Sequence, residues 1–252
     1  MTVKDIYTFL DDIAPFEMQV SYDNSSIIIG SKESDVSKIG VCLDITHDVA
    51  DYCIDNKIDL IICHHPLIFS AIKKISALDV TYKLIKNGIS VIAAHTNLDC
   101  AKNGVCESLC KALNIKITDN AFADDFPNIP LGRIGELDEK LSADDFAKFI
   151  KQRLNAPDIR YSAFTDVKKI GVFNGSGADM IDFAIKCGAD SVITSEVKHH
   201  QWIFANENKI NVFDAGHFST EYVITDVLTS AINEKFGNIA QNIEQTAPYK
   251  AI

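Results

Sequence analysis

The sequence of 252 residues has no basic cluster, no Cys-x-x-Cys pair, no low-complexity segment and no apolar run near the ~20 residues that cross a bilayer. Each absence removes a class of protein. A membrane-spanning helix is not expected. Lys and Arg number 24 against 35 Asp and Glu, a formal charge of −11. Such a balance repels phosphate backbones unless positive charge is gathered locally, so nucleic acid is not an expected partner. Seven cysteines, scattered from Cys42 to Cys187, are odd in number and do not make the paired framework of a small secreted domain. The opening stretch MTVKDIYTFLDDIAP has acidic residues spaced through it and lacks a signal-peptide core. These features together predict a cytoplasmic protein.

What is present is enough apolar material, 47% of residues, to build substantial cores. Thr2 can cap a first helix in which Ile6, Phe9, Leu10 and Ile13 share a face before Pro15 stops it. Beyond it, short apolar runs (IGVCL, DLIIC, SVIAA, KIGVF, SVITS, NVFDA) alternate with stretches of helical period. Strand–helix alternation predicts α/β layers with a largely parallel sheet. LGRIGEL reads as a further strand, and SADDFAKFIKQRL as a helix capped by Ser142.

The pattern repeats. At a shift of 131 residues, Ile39-Gly40-Val41 falls on Ile170-Gly171-Val172 and Asp59-Leu60-Ile61-Ile62 on Asp190-Ser191-Val192-Ile193. A shift of 122 places His95 and Asp99 on His217 and Glu221. Two α/β halves are therefore expected, residues 1–121 with His64, His65 and Asp99, and residues 122–252 with His217 and Glu221. The polar, proline-bearing stretch over 118–130 marks their boundary.

Six of the seven histidines lie at or just after the ends of expected strands: His64, His65, His95, His199, His200 and His217. Such ends are where open α/β sheets place ligand crevices. Two adjacent imidazoles after the buried run LIIC are costly to bury without partners. They diverge enough to serve two different ions, and a solvated His-His corner is the alternative. Asp99 ends HTNLD, and Glu221 lies four residues after His217, on one face of a helix starting there. Three histidines and two carboxylates match neither a closed cysteine site nor an all-oxygen calcium site. They suit a pair of divalent ions, Zn, Mn, Fe or Ni, with positions left open for water. His95 is expected beside the ligands as a catalytic group, orienting Asp99 or passing protons. His199 and His200 read either as an exposed helix start or as a pocket rim. The cysteines read as structural thiols. Gly175-Ser176-Gly177 lacks the lysine of a P-loop and reads as a tight turn, with anion binding as the alternative.

CHHPLIF, HTNLD, GRIGEL, NGSGAD and GHFSTE together resemble the Nif-three-like dinuclear-metal family, whose members are known as GTP cyclohydrolase I type 2 homologs. Carried over residue by residue, the resemblance implies His64, His65, Asp99, His217 and Glu221 as metal ligands. It also implies two α/β domains related by pseudo-twofold symmetry, and a toroidal homohexamer without the inserted domain of longer members. Two departures stand out. Tyr22-Asp23-Asn24-Ser25-Ser26 replaces a usual W-D-N-x-G, and Ser195-Glu196 replaces a usual Gly-Asp, while His200 keeps its usual place. The implied activity is opening of the GTP imidazole ring with release of formate. A two-metal phosphoesterase or nucleotide hydrolase competes with it, as does a metal-binding assembly ring without turnover.

Overall fold

The computed structural model describes residues 1–123 and 125–251. Asp124, inside the stretch expected to join the halves, and Ile252 lie outside the described residues. The chain forms two compact units. The first comprises Met1–Lys102 and Thr225–Gln245, the second Asn103–Ile224 and Thr246–Ile252.

In the first unit, α1 (Val3–Ile13) buries Val3, Ile6 and Leu10. The Asp5 carboxylate accepts the Thr2 N–H at 2.7 Å, satisfying one of the donors a helix start leaves open. Then follow β1 (Ser26–Ile29), β2 (Ile39–Cys42), α2 (His47–Asp55), β3 (Leu60–Cys63), α3 (Val80–Lys86), β4 (Ser90–Ala93) and α4 (Thr96–Cys100). Every residue of β2, β3 and β4 is buried, which is why these strands read as continuous apolar runs. One sheet face packs on Val49, Ala50 and Cys53 of α2 and Leu84 of α3.

The second unit runs through α5 (Val105–Ala112), β5 (Lys116–Phe122), β6 (Pro130–Leu141), α6 (Ala143–Arg153), β7 (Arg160–Tyr161) and β8 (Val167–Val172). It continues with α7 (Ile181–Lys186), β9 (Ser191–Thr194), α8 (His199–Asn208), β10 (Asn211–Asp214) and α9 (His217–Glu221). Its sheet has the order β5-β6-β8-β9-β10-β7, with β8, β9 and β10 mutually parallel. Alternation along the strands feeds two cores: Ile193 and Phe213 join Phe146, while Val192 and Val212 join Phe173. Ser142 caps α6, its hydroxyl accepting the Asp145 N–H at 3.1 Å.

The chain then returns through α10 (Val223–Phe236) to β11 (Ala240–Asn242), which pairs in parallel with β2 and completes the order β1-β4-β3-β2-β11. Only β1 runs antiparallel there. Among the described residues no helix is long and apolar enough to cross a membrane.

The sequence repeat has a structural counterpart in β2-α2-β3 and β8-α7-β9. Asp59, just before β3, accepts the N–H groups of Ser37 and Lys38 at 2.8 and 3.0 Å. Asp190, just before β9, accepts those of Lys168 and Lys169 at 3.1 and 2.9 Å. In each unit an aspartate thus clamps the approach to one strand onto the approach to the next. Partial burial pushes the Asp59 carboxyl up, but hydrogen bonds from Ser37 and Lys38 outweigh it and hold the group below its ordinary value. A carboxyl depressed in the folded state stabilises above its unfolded value, ~3.9, and that contribution fades as pH falls through the folded value. Asp59→Ala is therefore expected to lower stability by about 1–2 kcal/mol in urea denaturation at neutral pH. The gap from the parent should close below about pH 4; a gap independent of pH would mean that packing, not the charge, is responsible.

Candidate metal centre

In the first unit β3 leads straight into His64 and His65. Their amides donate to the carbonyls of Cys42 and Leu43 at 3.2 and 3.0 Å, so both imidazoles leave a backbone still laddered to its neighbour. His64 is fully buried, with Nδ1 3.0 Å from the Ala94 carbonyl oxygen. A carbonyl can only accept, so Nδ1 carries the proton and Nε2 presents a lone pair. That Nε2 lies 3.5 Å from Asp99 Oδ1. The half-buried His65 and His95 follow the same pattern: Nδ1 of His65 is 2.7 Å from Asp44 Oδ1, and Nδ1 of His95 is 2.8 Å from Asp23 Oδ1.

Asp23 is a buried hub. Besides His95 it accepts the N–H groups of Asn24 and Thr96 at 2.7 and 3.0 Å, and the hydroxyls of Ser25 and Thr96. Burial alone would raise its carboxyl; the bonds from His95 and Thr96 outweigh it and hold the group well below the usual carboxylate range. An anion thus stands behind His95. The ring centroids of His64, His65 and His95 are 4.9, 5.2 and 5.5 Å apart in pairs, and each ring offers a nitrogen within 4.8 Å of the others.

In the second unit, β10 passes through Gly216, at φ +78°, into α9. His217 and Glu221 stand one helical turn apart, with Nε2 and Oε2 separated by 3.0 Å. Glu221 is buried, and its Oε1 accepts Asn174 Nδ2 at 3.2 Å. On the other side of the ring, His217 Nδ1 is 3.1 Å from Glu196 Oε1. The Ser176 hydroxyl donates to Glu196 and holds its carboxyl below the ordinary value against partial burial, with His217 adding to the effect. Gly175 adopts φ +56°, and a Cβ there would fall 2.3 Å from Glu221 Oε1 and 3.3 Å from His217 Nε2. Only a glycine permits this approach.

The residues fit a divalent transition metal. In the first unit, Nδ1 protons engaged by oxygens leave ring lone pairs facing a common space, the arrangement by which outer partners orient histidine ligands. In the second, a ring wedged between two carboxylates, with a backbone stripped of Cβ behind it, makes a compact anionic cradle. Imidazole and carboxylate suit Zn, Mn, Fe or Ni. Among the described residues all seven cysteines are free and six are buried, in keeping with structural thiols.

The expected site residues thus fall into a group in each unit: His64, His65 and Asp99, joined by His95, and His217 with Glu221. His95 faces Asp23 at its Nδ1. His199 and His200 open α8 and are exposed. Gly175 lies in a bend of the chain, close against the second group. Sequence reasoning did not find Asp23, Asp44, Asn174 or Ser176 as partners. The one available signal was the retained Asp-Asn of Tyr22-Asp23-Asn24.

A family model described as Duf34/NIF3 (NGG1p interacting factor 3) matches residues 1–248. The GTP cyclohydrolase 1 type 2 homolog of Clostridium acetobutylicum is 32% identical over 241 residues, covering 92% of this chain and 90% of the relative. The protein of the same name from Campylobacter jejuni is 33% identical over 236 residues, covering 90% of each. The crystal structure of Staphylococcus aureus protein SA1388 matches with a TM-score of 0.91 at 28% identity, covering 100% of this chain and 99% of that one.

Gly175→Ala is expected to destabilise by about 1–3 kcal/mol, through the left-handed backbone and the clash with Glu221. A urea midpoint equal to the parent's would show that the cradle tolerates a Cβ.

Proposed function

Because the chain belongs to the Duf34/NIF3 family, we propose that it is a dinuclear-metal-dependent hydrolase whose two divalent ions are held by His64, His65, Asp99, His217 and Glu221. The observation that carries the reading is the pair of imidazoles His64 and His65, whose Nδ1 protons are engaged by Ala94 and Asp44, with His95 beside them held by Asp23. Bound divalent ions supply Lewis acidity, which acidifies water and polarises a substrate oxygen.

The remaining chemistry belongs to the chain. Asp44 and the Ala94 carbonyl keep His65 and His64 in the tautomer that ligation requires. His95 accepts a proton at Nε2 and hands it on, and Asp23, ionised behind the ring, stabilises the imidazolium in between. A positioned acid–base group of this kind contributes roughly 10²–10⁴-fold. By the name its relatives carry, the substrate is GTP and the reaction is imidazole ring opening with loss of formate. A ring-shaped homohexamer and a reducing, cytoplasmic setting suited to seven free thiols complete the proposal.

The purified protein should contain more than one transition-metal equivalent per chain and release it in acid, since ligand imidazoles bind only when neutral. His64→Ala and His217→Ala should each remove most of the metal, and His199→Ala should leave it in place. Full occupancy in folded His217→Ala would take the second unit out of the site. With metal-loaded protein and GTP, formate supports the cyclohydrolase, whereas free phosphate with an intact base would make the protein a phosphoesterase. No turnover, with ready transfer of the ions to an acceptor, would make it a metal carrier. Light scattering that gives a monomer at all concentrations would contradict the hexamer.

A further inference from the structure

Beside His217, within the second unit, lies a cavity of about 390 Å³ lined by Asp158, Arg160, Glu196, Asp214 and Tyr249. Tyr249 arrives from the C-terminal segment Thr246–Ile252 of that unit. Its hydroxyl lies against the turn into α9: a Cβ on Gly216 would fall 2.6 Å from it. Tyr249 is therefore seated by a glycine next to a proposed ligand.

The charges of this wall do not cancel. Three carboxylates face one guanidinium and the His217 ring, and that guanidinium is ion-paired with Asp214. Asp214 also accepts the N–H groups of Val197 and Gly216, at 3.2 and 3.3 Å. Glu196 is taken by Ser176 and His217. Asp158 is hydrogen-bonded to the Tyr249 hydroxyl, which donates to it. The cavity thus offers carboxylate oxygens and an aromatic ring, the pairing that attracts organic cations, and repels an anion of the same shape.

We propose that this cavity is a binding site for a planar organic cation, an amidinium or guanidinium group, beside His217. It rests on the hydrolase reading only for the role of His217; the preference for a cation comes from the wall itself. A phosphate chain would not enter here.

The test uses three ligands of one shape and different charge, benzamidine, benzamide and benzoate, titrated by NMR into the full-length protein with and without its metal. Metal content is measured on the same samples. Benzamidine should bind saturably in both, with benzoate at least about tenfold weaker. Asp158→Asn and Tyr249→Ala should each weaken benzamidine by about tenfold while metal content and melting temperature hold. Benzoate binding as tightly as benzamidine would overturn the proposal. So would affinity unmoved by Asp158→Asn, a conservative change that spares the fold, or no benzamidine binding by about 10 mM. Benzamidine binding to a protein that never takes up metal would sink the hydrolase reading and leave the subsite standing.

Discussion

A neutral imidazole has one N–H and one lone pair, so whatever accepts the N–H decides where the lone pair points. Three times in the first unit the acceptor lies on the Nδ1 side: the Ala94 carbonyl, Asp44 and Asp23. The rest of that site follows from these bonds. Ala94 is in place because β3 and β4 run parallel with Cys63 opposite Ala93, so the chain just beyond β4 meets His64. A one-residue slip would turn the carbonyl away. Asp23 in turn depends on the Thr96 amide at the start of α4, so helix, loop and imidazole form one network.

The second unit meets the same requirement differently. His217 lies between Glu196 and Glu221, one of them exposed and one buried, and Asn174 steadies the buried carboxylate. The cost falls on the backbone, which adopts left-handed geometry at Gly175, Glu196 and Gly216. At Glu196 a side chain bears that strain, of the order of 1 kcal/mol, in a position where a functional contact offsets it.

Much of this was legible in the sequence because buried parallel strands leave unbroken apolar runs, and because histidines and carboxylates follow those runs. β2, β3, β4, β8, β9 and β10 all coincide with such runs. The spacing of His217 and Glu221 is one helical turn, and α9 supplies that turn. β5 was not legible, since its first five residues are exposed and no apolar period marks them. Asp44 and Asp23 were missed for a different reason. They stand 21 and 72 residues from the histidines they hold, and only the folded sheet brings them there. The cradle at Gly175 likewise depends on a distance to Glu221 that no local pattern encodes.

The proposal on which the account turns is that His64, His65, Asp99, His217 and Glu221 hold a pair of ions. Anomalous diffraction from crystals of the zinc-loaded protein, recorded on both sides of the zinc edge, tests it most directly. The account predicts two peaks per chain, roughly 3.5–4 Å apart, ligated by His64, His65, Asp99, His217 and Glu221. A single peak, or peaks bound by the ligands of one unit alone, would contradict it.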